Sequence, residues 1–291
     1  MKYNNDKNKT DIVRSSLERF LYALSKMHGS SDISNRQCDI TFIGDSLMSD
    51  TMVAMECQLI TIGYKNLTEC VFAHIGKDTY YTNTNYVCDN STINNQNTRT
   101  LQFQRQFMNQ QSKSCPIINL LFIKNELLYE ITTDEYIKNF IQRSKDDTNN
   151  RKTLLLVNYG THSNDKEHLV LTYLKMVQTL KVLLNQPNYK VLWKEIEPQH
   201  FQSSNGYFNT KLKNLSCLNT IQKYDNWKTT ILEDLIASNK FPSLPIIYIY
   251  NDTLPFSFLH QQPDCTHYCY LPYRFTLLWN KLTDLLMLTY N

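Results

Sequence analysis

Long hydrophobic runs are missing from this chain. Its most apolar stretches, 117–123 and 244–250, are far shorter than the about 20 residues a bilayer-spanning helix needs, so no segment is expected to cross a membrane. The first ten residues hold no apolar core of the kind a secretory signal carries. Charge of one sign is lacking as well: 30 basic and 27 acidic residues leave a net charge of +3, spread without a basic stripe, and no nucleic-acid partner is expected. No two cysteines stand at the Cys-x-x-Cys spacing of a zinc site, so neither a metal nor another cofactor is expected. A linker is also missing, and 291 residues without one read as a single large domain. Cysteine, in contrast, is plentiful. Eight residues, an even number, favour disulfides and an oxidising compartment such as the lumen of the secretory pathway.

The most informative stretch runs from Cys38 to Cys57. Asp39 to Ile43 reads as a buried strand, and from Asp50 the apolar residues Met52, Val53, Met55, Leu59 and Ile60 recur at helical spacing. Gly44-Asp45-Ser46 is therefore a strand-to-helix turn. Gly44 allows unusual backbone angles, and Ser46 lies near a helix N-terminus, where free N–H groups favour a developing negative charge. That is a place for a serine nucleophile; the alternative is that Asp45 and Ser46 only cap the helix.

Elsewhere strands and helices alternate. An amphipathic helix is expected over 11–27, after a polar and disordered 1–10. Strands are expected at 69–75, 117–123, 153–157, 191–193 and 246–250, and helices at 134–144, 167–184, 227–236 and 275–290. The Asn-, Thr- and Gln-rich 76–114 reads as a long surface excursion. This order predicts an α/β fold with a mostly parallel sheet covered on both faces, with ligands at the carboxyl ends of its strands.

The residues that follow those strands are suited to acyl transfer. Ser46 follows the first. Asn158-Tyr-Gly-Thr-His162 follows the strand at 153–157, and there an amide and a glycine N–H could stabilise an oxyanion. Lys194-Glu-Ile-Glu-Pro-Gln-His200 follows the next. After the last strand comes Asp264-Cys-Thr-His267, whose spacing puts a carboxylate and an imidazole on one side of a single turn, as a serine triad requires. A second Asp-x-x-His, at Asp165 and His168, reads as the first turn of a helix. Asp45, His162, Glu197, His200 and Tyr268 are candidate substrate contacts; His162 also reads as a surface loop residue, His200 as a buried polar group, and Tyr268 either as a ring that stacks on a sugar or as half-buried packing.

Taken together, Ile43-Gly-Asp-Ser-Leu47, Asn158-x-Gly160, Glu197-Pro-Gln-His-Phe201 with Asn205-Gly206, Asp264-Cys-x-His-x-Cys269 and Trp279-Asn280 resemble the PC-esterase family, which includes plant trichome birefringence-like polysaccharide O-acetyltransferases and belongs with the SGNH/GDSL hydrolases. The resemblance implies a flavodoxin-like three-layer α/β/α sandwich with Ser46 as nucleophile, His267 as general base and Asp264 as its orienting carboxylate, and an oxyanion hole from Ser46 and Asn158, to which the residue reading adds Gly160. It implies a Cys217–Cys265 disulfide and a partner for Cys269 in Cys57 or Cys70. Its substrate class is an acetylated carbohydrate, taken by an esterase or an O-acetyltransferase. The chain departs from the plant pattern at Ser49, Asp50 and Thr51, where arginine, asparagine and glutamine are usual, and lacks a tryptophan pair after Gly160. Two other readings compete: a carbohydrate-binding or structural domain that has lost turnover, and a phosphate-ester or lipid hydrolase.

Overall fold

The computed structural model describes residues 6–27, 37–67, 98–106, 115–124, 152–204, 206–208, 217–218, 226–261 and 263–288. Among them, β1 (Gln37–Gly44) is the central strand, flanked in parallel by β4 (Ile117–Lys124) and β5 (Thr153–Val157). Beyond β5 come β6 (Tyr189–Lys194) and β7 (Ile246–Ile247), also parallel. Beyond β4 lie β3 (Thr98–Arg105), antiparallel to β4, and β2 (Tyr64–Asn66), antiparallel to β3. The order is β2-β3-β4-β1-β5-β6-β7.

Side chains of a strand alternate between faces, and the sheet uses both. Ile40, Phe42, Leu120, Phe122, Leu154 and Leu156 pack on one side with residues of three helices: α1 (Asp6–Met27), α2 (Ser46–Thr61) and α6 (Pro272–Leu288). Ile43, Leu155, Val157 and Trp193 pack on the other with α3 (Lys166–Leu184) and α4 (Trp227–Ala237). The result is an α/β fold of three layers. Between β7 and α6 the chain makes a short helix α5 (Tyr250–Thr253), a 3-10 turn over Leu254–Leu259, and a separate hairpin of β8 (His260–Gln261) and β9 (Asp264–Tyr268). No helix among the described residues is long and apolar enough to cross a membrane.

Three expectations are corrected. The excursion at 76–114 contains β3, in which Leu101 and Phe103 are buried and Gln102 and Gln104 exposed; two apolar residues in a polar context are a weak alternation signal. The last parallel strand stops at Ile247, because the N–H groups of Ile249 and Tyr250 both donate to Oε2 of buried Glu195 at 2.7 Å and start α5 instead. Helix α1 begins at Asp6, inside the region expected to be disordered. The strand expected at 69–75 and the helix at 134–144 lie outside the described residues.

Cys38, in β1, forms a disulfide with Cys115, just before β4, and Cys217 forms one with Cys265 in β9. The latter is the pair that the family resemblance implied. Cys269 is exposed and outside any disulfide, so its expected bond to Cys57 or Cys70 is absent; its N–H donates to the Leu259 carbonyl at the end of the hairpin. Cys70 itself lies outside the described residues. Alkylation of the denatured, unreduced protein followed by peptide mapping should leave Cys38, Cys115, Cys217 and Cys265 unmodified and label Cys269. Breaking the Cys217–Cys265 bond, which spans 48 residues, should cost about 4 kcal/mol of stability in the chain-entropy account, read by denaturant unfolding.

Candidate active site

Strand β1 ends at Gly44 and α2 begins at Ser46. Gly44 owes its place to crowding: a Cβ there would stand 2.9 Å from Met48 Cβ and 3.0 Å from the Asn158 carbonyl oxygen. Its φ is not positive, so close approach of β5 to the turn, and not the unusual backbone angle expected from sequence, excludes a side chain. Asp45 is the N-cap: its Oδ1 accepts the Leu47 N–H at 3.0 Å and its carbonyl accepts those of Met48 and Ser49. The N–H of Ser46 is then the helix-terminal donor these caps leave over. Ser46 is partly accessible, while Asp45 is only 2% exposed.

The hairpin brings His267 to the serine. His267 Nε2 lies 2.7 Å from Ser46 Oγ, and His267 Nδ1 lies 2.6 Å from Asp264 Oδ2. The other carboxylate oxygen accepts the N–H groups of Thr266 and His267, at 2.9 and 3.0 Å. Asp264 and His267 are on a strand rather than the expected turn, and it is this local capping that folds the carboxylate back onto the ring. Both side chains stay open to solvent, 49% and 37% exposed. Burial by itself would raise the Asp264 pKa; the bonds from His267 and Thr266 outweigh it and pull the carboxyl down to about 2. Burial would lower that of His267, but the Asp264 hydrogen bond and the charges of Asp50, Asp264 and Asp45 leave it raised above 6.5.

Strand β9 is held from behind by residues 197–201. The N–H of His200 donates to the Cys265 carbonyl, Gln199 Nε2 to Thr266 Oγ1 at 3.0 Å, and Tyr268 Oη to the Pro198 carbonyl. Behind that lies a buried ion cluster in which Glu197 accepts from Lys194 Nζ at 2.7 Å and from Arg274 of α6, whose guanidinium sits 4.0 Å from the centre of the Tyr268 ring. Burial, with Arg274 nearby, pulls Lys194 down to about 7.

These contacts reassign most of the candidate substrate contacts. Glu197, His200 and Tyr268 are 2%, 1% and 7% exposed and committed to the support of β9, and Asp45 is spent on capping. His162 is exposed on the loop after β5. Asn158 is fully buried, its Nδ2 donating to the carbonyls of Lys194 (3.0 Å) and Glu195 (3.5 Å), which ties the ends of β5 and β6 together. Gly160 has φ +114°, and a Cβ there would meet Ile196 and Leu169 at 3.0 and 3.1 Å. Its carbonyl and that of Thr161 accept from Lys228 Nζ, a buried cation that also lies 4.2 Å from the Tyr207 ring centre. Asp165 does cap α3, accepting the His168 N–H at 2.7 Å, as its sequence position suggested. Asp50 was not among the candidates. It lies one helical turn after Ser46, close enough to His267 for each to shift the other, and its carboxyl is raised by burial; the four-residue step from Ser46 was the available signal. Nothing in the sequence pointed to His260 or Arg274.

Among the described residues no group of three or more His, Cys, Asp or Glu side chains is placed to hold a metal. No family model matches the chain, and no curated protein is similar to it in sequence.

The titration of His267 follows from this geometry. Its folded-state pKa is raised, so its pairing with Asp264 contributes stability that is complete below 6.5 and fades as pH rises through the raised value. For Asp264 the order is opposite: its contribution is present above 3.8 and lost as pH falls through about 2. NMR titration should place the His267 midpoint above 6.5, and Asp264→Asn should lower it.

Proposed function

We propose that the chain is a serine-dependent acyl ester enzyme of the SGNH type, an acetylesterase or O-acetyltransferase acting on carbohydrate hydroxyls. The observation that carries this reading is the Asp264–His267–Ser46 hydrogen-bonded row, open to solvent, with the serine in the first turn of α2. Ser46 Oγ attacks the ester carbonyl carbon while its proton passes to His267 Nε2, and Asp264 stabilises the imidazolium that results. The carbonyl oxygen becomes an oxyanion beside the helix-terminal N–H of Ser46, with Gly160 as the second main-chain donor. Asn158 Nδ2 carries two hydrogens: one is held by the Lys194 carbonyl at 3.0 Å, and the other, 3.5 Å from the Glu195 carbonyl, is the one it gives to the oxyanion. Collapse expels the alcohol, which takes the proton from His267, and leaves an acyl-Ser46 ester. Water or a sugar hydroxyl, deprotonated by the same imidazole, then releases the acyl group. The PC-esterase resemblance of the motifs supports the carbohydrate class, and with Ser49 where plant members have arginine the acceptor preference is this chain's own.

Hydrolysis of a small acetyl ester should be abolished in Ser46→Ala and reduced about 10⁴-fold in Asp264→Asn, the fold remaining intact by circular dichroism. A fluorophosphonate probe should label Ser46, located by mass spectrometry. An adduct elsewhere, or undiminished turnover in the alanine variant, rejects the assignment; binding of an acetylated glycan without turnover would favour a carbohydrate-binding domain.

A further inference from the structure

Two imidazoles stand behind His267 that this chemistry does not use. His260 Nδ1 is 2.7 Å from the main-chain oxygen of His267, and its Nε2 is 2.6 Å from Nδ1 of His200. The other nitrogen of His200, Nε2, is 3.2 Å from the Leu254 carbonyl oxygen. A carbonyl only accepts, and a nitrogen–nitrogen contact holds a single hydrogen. The row therefore calls for three hydrogens, while two neutral imidazoles supply two. One contact must do without, and the longest is the one to Leu254. Each ring then has its hydrogen on Nδ1: His200 donates to His260, and His260 donates to the carbonyl of His267.

We propose that His260, backed by His200, is a positioning residue for His267, holding the base's main chain through a directional Nδ1–H relay so that the ring stays between Asp264 and Ser46. The proposal rests on His267 being the general base. Position argues for it: His260 pairs with Tyr268 across the hairpin, and the N–H of His200 binds the Cys265 carbonyl, so the two histidines grip β9 on both sides of His267. A donor that is itself an acceptor in a polarised row binds more strongly. The charged and titratable groups around the pair are Asp264 and His267 of β9 and the Tyr268 ring, 4.1 Å from His260 and 6.1 Å from His200, with Arg274 of α6 on that same ring. Burial, helped by the neighbouring ring, pulls His200 down to about 4, and burial also lowers His260. The third hydrogen is thus absent at neutral pH and enters on acidification at His200 Nε2, closing the Leu254 contact.

The test uses the full chain with ¹⁵N-labelled histidine. At neutral pH, NMR should find His200 and His260 both neutral and both protonated on Nδ1; a hydrogen on Nε2 of His260 in place of Nδ1 would overturn the proposal. In kinetics on an acetyl ester, His260→Leu should lower kcat about tenfold with KM unchanged and move the acid limb of the pH profile down towards 6.5, because the ring loosens from Asp264. His260→Asn, which keeps an N–H near the place of Nδ1, should recover activity to within about threefold. An unchanged kcat in the leucine variant rejects the idea. Should that variant not fold, the tautomers of the wild type still decide. They do not depend on turnover, so failure of the Ser46 chemistry, seen as undiminished activity in Ser46→Ala, is separate from failure of the relay.

Discussion

The contact between His267 Nε2 and Ser46 Oγ joins residues 221 apart in the chain, and the architecture around it is arranged to keep that contact. The serine side is simple. A central strand and a helix of the main sheet fix Ser46, and the crowding at Gly44 leaves the turn little freedom. The histidine side is harder, because β9 belongs to a two-stranded hairpin outside the main sheet, and such a hairpin is marginal alone. It is fixed by one covalent bond, Cys217–Cys265, and by several weaker ties: the main chain of His200, Gln199, Tyr268 and the two-histidine row. The disulfide therefore shares with a polar cradle the task of holding β9 against the Ser46 turn.

That cradle carries charge into the interior. Lys194, Glu197 and Arg274 are all 3% exposed or less. Taking such groups out of water costs several kcal/mol for each ion, and pairing restores it only when the geometry is close and the remaining donors are satisfied. In other proteins, well-packed apolar residues of similar volume have often replaced such a cluster without loss. What the ions add is direction, since Glu197 can join Lys194 at the end of β6 and Arg274 on α6 in one way only. Removing one member would leave the others uncompensated, which is the costly event.

The sheet and the hydrogen-bonded row of Asp264, His267 and Ser46 were legible because they rest on local patterns. Apolar runs marked the parallel strands, helical spacing marked α2 and α3, and Asp-x-x-His at the carboxyl side of the sheet marked Asp264 and His267. The rest depends on which side chains meet, and that is not local. Glu197 and Tyr268 are residue types that bind sugars on a surface and hold a strand in an interior, and composition does not separate the two. Strand β3 has two apolar residues and is made a strand by pairing with β4. The shortening of β7 is caused by Glu195, a carboxylate whose reach to Ile249 and Tyr250 has no sequence signature. The role of His260 depends on a hydrogen count across three segments.

Helices α1 and α6 are neighbours: Phe20 stacks on Trp279 at 5.5 Å, and Arg19 donates to Asn280, 261 residues further along. The apolar stripe of α1, with Leu17, Phe20, Leu21 and Leu24 wholly buried in the finished fold, has much of its cover in α6, which is made much later. At a synthesis rate of about 5–20 residues per second, roughly 13–50 s pass between the two. During that interval a newly made α1 presents a greasy face to its surroundings, which makes the growing chain a natural client for a chaperone and the contact between α1 and α6 a late one to close.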